Sequence, residues 1–540
     1  MRRFSTRHVA IAGIVCLGGA GMAARAQEHQ HGDAGRFGTV TFANSCSAAV
    51  QPGFARGMAL LHSFEFGPAI DAFDEVAKAD PSCGIALWGI GLAQWSNPFS
   101  AANRAPRQLQ AGRESAQRAA QTGAKTERER AYIAAVAHLY DRYESVDQRT
   151  RIVAYRDAMG RLAAAYGDDP EAKAFYAVAL AAAADPADKT YADQLKAGAM
   201  MEALWAAQPD HPGFAHYIIH SYDVPALAPK ALDAARRYAT IAPDAPHALH
   251  MPSHTFTRLG YWQDSIDTNM LSAAAAKKIG QIYEELHATD YEVYAYLQTG
   301  QDAKARALVD EAPRIAARPN VTEGAAPPVA GGYALAAIPA RYALERGDWA
   351  GAARLQPIAN AAPFVEAISW FARGLGAARA RDVAGAKVVP AELQVRIDAL
   401  DRAGEKYWAE QVRIQQLAVT AWVAFADGRA PEALKSMREA ADREDRTEKN
   451  AISPGPLAPA RELLAEMLLQ LKQPKVALVE FRTTIAKEPN RFRGIAGAAA
   501  AAEQTGDAAA ARTYRQQLAQ ICLKGDTPGR PELQQARAAR

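Results

Sequence analysis

The chain has 540 residues, 49% of them hydrophobic and 22% charged, with 38 glycines and 30 prolines. That is enough apolar side chain for several packed layers or a repeat array, and it excludes a disordered or collagen-like chain. Lys and Arg total 62 against 59 acids, a formal charge of +3, and no long basic face appears, so nucleic acid is not an expected partner.

At the N-terminus, Arg2, Arg3 and Arg7 form a basic start, residues 9–24 make an apolar run too short to span a membrane, and Ala24-Arg25-Ala26 has the small-x-small form of a cleavage site. Residues 1–26 are therefore expected to be a secretory signal peptide. Arg2-Arg3-Phe4 hints at the twin-arginine route, and no Leu stands three residues before Cys16 as a lipoprotein would require. Removing the four leader arginines leaves the mature chain at −1. No later apolar run reaches 18 residues, so no membrane span is expected, and the protein is expected to be soluble and periplasmic. Export permits disulfides. Cys46 and Cys83 each precede a predicted helix one repeat apart and are expected to pair, leaving Cys522 over; no CxxC spacing exists.

From Val50 the chain reads VQPGFARGMALLHSFEFGPAIDAFDEVAKADPSC, with Gly57, Leu60, Ala69, Phe73 and Pro81 at the small, large and helix-ending positions of a tetratricopeptide unit. Residues 461–489 repeat this with Ala465, Leu468, Ala477, Phe481 and Pro489. Between them, turn signals recur at Gly260, Gly300, Gly347, Gly428 and Gly506, where glycine is expected to end a helix in the left-handed conformation. No segment alternates with period two, and Ala, Leu, Arg, Gln and Glu fill the intervals. The predicted fold is an all-α tetratricopeptide solenoid of antiparallel helix pairs. Two Pro/Gly-rich breaks, residues 314–332 and 445–459, are candidate joints, the first separating an array over 27–313 from one over 333–540.

The segments HYIIHSYD, APHALHMPSHTFTRLGYWQDSIDTN, EKNAISPGPLAPARELL and EPNRFRG resemble those of exported bacterial tetratricopeptide-repeat proteins, a group distantly similar to the tetratricopeptide repeat protein 38 family. The likeness covers most of the mature chain, and the HMPSHTFTRLG string is its most specific part. It implies an α-solenoid with a concave groove and no settled activity. Relatives often carry His where this chain has Asn450, so no role is carried over to that loop.

Six of the twelve histidines lie between His211 and His254. Pro209-Asp210-x-Pro212 with His216 and His220 recurs 34 residues later as Pro243-Asp244-x-Pro246 with His250 and His254. Asp210 and Asp244 are expected helix N-caps with Pro at an early helical position, and His at i and i+4 share one face. The resemblance puts these positions on the concave face. Equivalent helices lie roughly 8–10 Å apart, so His216 is expected beside His250 and His220 beside His254. His287 and Asp290 extend the stripe, and His247 lies one turn before His250. A mixed His/Asp set favours zinc or iron. Pro252, between His250 and His254, is expected to kink its helix.

Three readings stand side by side: metal ligands, hydrogen-bonded core histidines, and duplicated residues lining an ordinary groove. HYIIH lacks the Glu of HExxH, so zincin chemistry does not apply, and Asp290, Glu284 and Glu285 are the nearest bases. Trp88 and Trp95, with His62, are candidate stacking residues for a ligand, and Arg491 and Arg493 candidate anion contacts. His29 and His31 form a weaker candidate metal pair. The expected function is a periplasmic scaffold holding a peptide, protein segment or small ligand in its groove, with a divalent metal at the histidines; the alternative is a metal-dependent, hydrolase-like enzyme using the same groove.

Overall fold

A computed structural model describes residues 35–100 and 102–539. The expected signal peptide, residues 1–26, and His29 and His31 lie outside them. Every regular element among the described residues is helical. Short turns join the helices, so consecutive helices pack against one another as antiparallel pairs, which is the tetratricopeptide-like solenoid expected. No helix among the described residues is long and apolar enough to cross a membrane.

The first unit consists of helices Gln51–His62 and Phe66–Ala79. Phe73 is fully buried between Gly57 and Gly89, where a Cβ would stand 2.8 and 2.7 Å from its ring. Two helices close on one phenyl ring because glycine leaves them room. The late unit, Ala460–Gln470 with Pro474–Lys487, buries Ala465, Leu468, Ala477 and Phe481 in the same way. Gly260, Gly300, Gly347, Gly428 and Gly506 all have φ between +66° and +81°, the left-handed residue that ends a helix.

The 34-residue spacing is kept where helices start at Pro212 and Pro246, but the caps differ from expectation. Proline takes the first helical position, so the cap falls on the residue just before it, His211 or Ala245. His211 Nδ1 accepts from the Gly213 N–H at 3.2 Å, and Asp244 instead accepts from the Arg36 N–H at 2.6 Å.

Apolar side chains between Val40 and Phe256 form one core cluster and those between Ala330 and Ala511 another, with a smaller one over Trp262–Ile338 between them. From Arg36 onward these make a single compact body. The breaks are irregular over residues 317–327 and 446–459, while the ends of the first lie in helices, and both reach back to earlier helices. Glu323 accepts from the Gly67 N–H at 2.9 Å, the Ala326 N–H donates to Glu284 at 2.8 Å, and Lys449 reaches Asp223 at 2.8 Å. Trp262 Nε1 donates to the Asn490 carbonyl at 2.8 Å. The C-terminal repeats thus fold back over the middle of the chain and cover the face expected to be an open groove.

Cys46 and Cys83 are joined, their Cα atoms 4.9 Å apart, and Cys522 is a buried free thiol. The bond ties the segment before the first repeat to the start of the third helix, where a terminal unit lacks a neighbour. Replacing both cysteines with serine is expected to destabilise the N-terminal repeats by roughly 3–4 kcal/mol for a loop of this length, read as a lowered thermal midpoint. Peptide mapping without reductant is expected to recover the linked pair; two free thiols at these positions would refute it.

Candidate metal centre

Four helices bring the histidines together. Pro212–Ser221 carries His216 and His220, Pro246–His250 carries His247 and His250, Pro252–Leu259 carries His254, and Ile282–Gln298 carries His287. Pro252 removes one helical hydrogen bond, yet Met251 keeps right-handed helical angles, φ −54° and ψ −35°. The chain path therefore continues, and His250 and His254 stay on one face, with Nε2 atoms 3.1 Å apart.

One expected pairing holds and one shifts. His220 and His254 are neighbours, ring centroids 5.9 Å apart. His216 meets His247 at 5.0 Å, three residues before the expected His250, whose ring instead packs against His254 and His287. The outcome is two sets of three imidazoles whose donor nitrogens lie within 4.8 Å of one another: His216, His220 and His247, and then His250, His254 and His287. All six rings are buried rather than groove-lining. His220, His247, His254 and His287 border one small cavity, so both sets face the same space.

Hydrogen bonds around the rings fix where each proton sits. His216 Nδ1 lies 2.7 Å from the His62 carbonyl, which can only accept. His254 Nδ1 donates to Asp223 at 2.8 Å and His247 Nδ1 to Glu284 at 3.1 Å. His250 Nδ1 donates to Asn269 Oδ1 at 2.7 Å; the amide orientation is set by Asn269 Nδ2, which donates to the Ser265 carbonyl. All four Nδ1–H bonds point outward, leaving a bare Nε2 lone pair on each ring pointing inward. These lone pairs face each other, His216 to His247 at 3.2 Å and His250 to His254 at 3.1 Å. His220 Nε2 and His287 Nδ1, the third member of each set, are buried with no partner.

Burial, reinforced by neighbouring imidazoles, pushes His216, His220, His247, His250 and His287 well below the usual histidine range, and burial with the Lys449 cation pushes His254 below it as well. Neutral rings cannot bridge the facing nitrogens with a proton. Tyr291 Oη stands 3.2 Å from His254 Nε2 but also lies 3.2 Å from the Ser453 carbonyl, and it has one proton for both. An unmatched buried polar atom costs roughly 1–3 kcal/mol, so the unpartnered His220 Nε2 and His287 Nδ1 add to the cost of the facing lone pairs. A cation removes that cost. The edge of a tetrahedron built on metal–nitrogen bonds of about 2.0–2.1 Å is roughly 3.3 Å, close to the observed separations. Outer acceptors fixing Nδ1–H while Nε2 faces inward is the arrangement of metal-bound histidine.

A third cluster shows the contrast. Glu171 bridges His62 Nε2 and His211 Nε2, both at 2.9 Å, while His62 Nδ1 accepts from Tyr217 Oη at 2.9 Å and His211 Nδ1 from Gly213. Every ring nitrogen is used. Burial drives the Glu171 carboxyl up, but the two imidazoles outweigh it and hold it well below the usual range. This is a structural bridge, whose His62 carbonyl also orients His216.

Other expected site residues lie elsewhere. Asp290 is fully buried against Arg341 at 2.8 Å and belongs to neither histidine set, because the Arg341 guanidinium takes both of its oxygens. Glu285 pairs with Arg318. Trp88 is enclosed by Phe42, Tyr132 and Phe175 at 5.3–5.7 Å and packs the core instead of stacking on a ligand. Trp95 borders a separate apolar cavity under Arg104 at 4.8 Å. Arg491 is buried between Glu345 and Glu462, and Arg493 pairs with Glu466; neither guanidinium is left for an anion. With Asp290 gone the inner set is imidazole alone, which removes the reason for preferring zinc or iron over copper.

Asp223, Asn269 and Tyr291 were not singled out from the sequence, although Asp223 ends HYIIHSYD and Asn269 closes SIDTN. A polar residue beside a histidine string was their only signal. Asp223 is held well below the carboxylate range: burial pushes it up, and Lys449, Arg258 and His254 overcome that.

Neither a family model nor a curated protein matches the chain. Among solved structures, the human IFIT1 dimer with m7Gppp-AAAA shares 10% identity over 88% of this chain and 96% of that one, with a TM-score of 0.36. A monomeric IFIT1 mutant with Gppp-AAAA shares 11% over 81% and 90%, also at 0.36. A likeness this slight carries no functional argument.

Replacing Asp290 with Ala is expected to destabilise the protein by roughly 3–5 kcal/mol in denaturant titration, because Arg341 is left buried without its counter-charge. A loss under about 1 kcal/mol would show that the pair is dispensable.

Proposed function

We propose that this protein is an exported, metal-dependent enzyme of the helical-repeat class, each histidine triad holding one first-row transition ion. The observation that carries the reading is the pair of bare Nε2 contacts at 3.2 and 3.1 Å, with all four Nδ1–H groups bonded outward. Neutral imidazole suits zinc, iron, copper and nickel. Three protein ligands per ion would leave a coordination position open, the mark of catalytic rather than structural sites, and the cavity bordered by histidines of both triads would give a reactant access to it. A bound ion would polarise a carbonyl or lower the pKa of its water, which is the chemistry of a hydrolase. The Cys46–Cys83 bond supports an oxidising, periplasmic setting, in keeping with the signal-like N-terminus and with the resemblance to exported bacterial repeat proteins.

Elemental analysis of protein loaded with Zn(II), Fe(II) or Cu(II) and then desalted is expected to find about two equivalents per chain. His247→Ala and His254→Ala should each retain about one, while His211→Ala, in the satisfied bridge, should retain both. Wild-type protein that keeps less than about a fifth of an equivalent of every ion would overturn the reading.

A further inference from the structure

A second cavity, about 890 Å³ including its mouth, lies across one chain segment from the histidines. Asn450 and Ser453 face it, while Ala451 and Ile452 between them face the histidine cavity. About 80 Å³ of it is interior space open to a water-sized group, several times what one buried water needs.

One wall is the helix Lys406–Ala426. Trp408, Gln411 and Gln415 stand three and four residues apart and so share one face. Phe364 stacks on Trp408, ring centroids 4.0 Å apart and planes within 6°, which holds the indole in place. Each of the three helix residues has a buried polar atom without a partner, Trp408 Nε1, Gln411 Nε2 and Gln415 Oε1, and Glu448 adds Oε2. The other Glu448 oxygen is taken by Lys189 and Tyr191, at 2.8 and 2.9 Å. Native interiors leave few polar atoms unmatched, and here two donors and two acceptors border one space whose wall is apolar on one side, with Phe364, Phe371 and Val412, and charged on another, with Arg258, Lys487 and Glu488.

We infer that this cavity receives an amide-bearing ligand, a short peptide or blocked amino acid with an apolar side chain. Its carbonyl accepts from Trp408 Nε1 and Gln411 Nε2, its N–H donates to Gln415 Oε1 or Glu448 Oε2, and its side chain lies on the aromatic wall. This occupant is independent of the metal.

Titration calorimetry on the full mature chain tests it with N-acetyl-phenylalaninamide, N-acetyl-leucinamide and the amide-free 3-phenylpropanol. Saturable binding of the two amides, at least tenfold tighter than the alcohol, is expected. The double variant Gln411→Leu/Gln415→Leu should weaken amide binding about tenfold or more, and Trp408→Phe, which keeps the stack and removes the N–H, by severalfold, both with unchanged thermal midpoints. Absence of saturation by either amide, equal binding of the alcohol, or wild-type affinity in the double variant would overturn the proposal. Metal content measured on the same samples separates the two readings: amide binding lost with ions retained sinks only this one, and amide binding without ions sinks only the other.

Discussion

Four N–H bonds directed away from the centre set the character of everything around it. Once the His62 carbonyl, Glu284, Asn269 and Asp223 take the Nδ1 protons, the inward nitrogens have no protons to share, and two pairs of lone pairs are pressed to hydrogen-bond distance. A protein interior relieves this with a donor or a cation. Burial works against the first, since it keeps the rings neutral. The hydrogen-bonding frame therefore presents inward lone pairs that would suit a cation, and the repeat scaffold holds that frame rigid.

Rigidity comes from the solenoid's small-residue seams. Glycine against Phe73 lets helices approach to contact distance, and a ring or side chain packed this closely has little freedom to relax away from a strained neighbour. The outer partners are themselves anchored. Asp223 is held by Arg258 and Lys449 as well as by His254, and Glu284 also accepts from the Ala326 backbone. Each anchor comes from a different part of the chain, so the centre forms only when the repeats have closed on one another.

The segment 446–459 links the two cavities. Its carbonyls at Ala451 and Ser453 meet Tyr291 Oη beside His254, Lys449 binds Asp223, and Glu448 turns to the aromatic cavity. One loop thus carries contacts to the outer acceptors of the histidines and to the wall of the larger pocket.

The sequence by itself determined the local order: helices, turns and seams follow from glycine, proline and small-residue spacing, which act within a few residues. It also determined that His216, His220, His250 and His254 share helix faces, since i and i+4 positions are fixed by helical pitch. The sequence placed Cys46 and Cys83 within reach of each other by the same repeat arithmetic. Tertiary structure decided what periodicity cannot encode. Packing of the His250 ring against His254 and His287 left His247 as the partner of His216, and Asp290 left the set because Arg341, 51 residues away, claimed it. Closure of the C-terminal repeats turned an expected groove into a core, because the residues that cover it lie as far as 259 positions from those they meet, and packing over such distances depends on the curvature of the whole array rather than on any one segment.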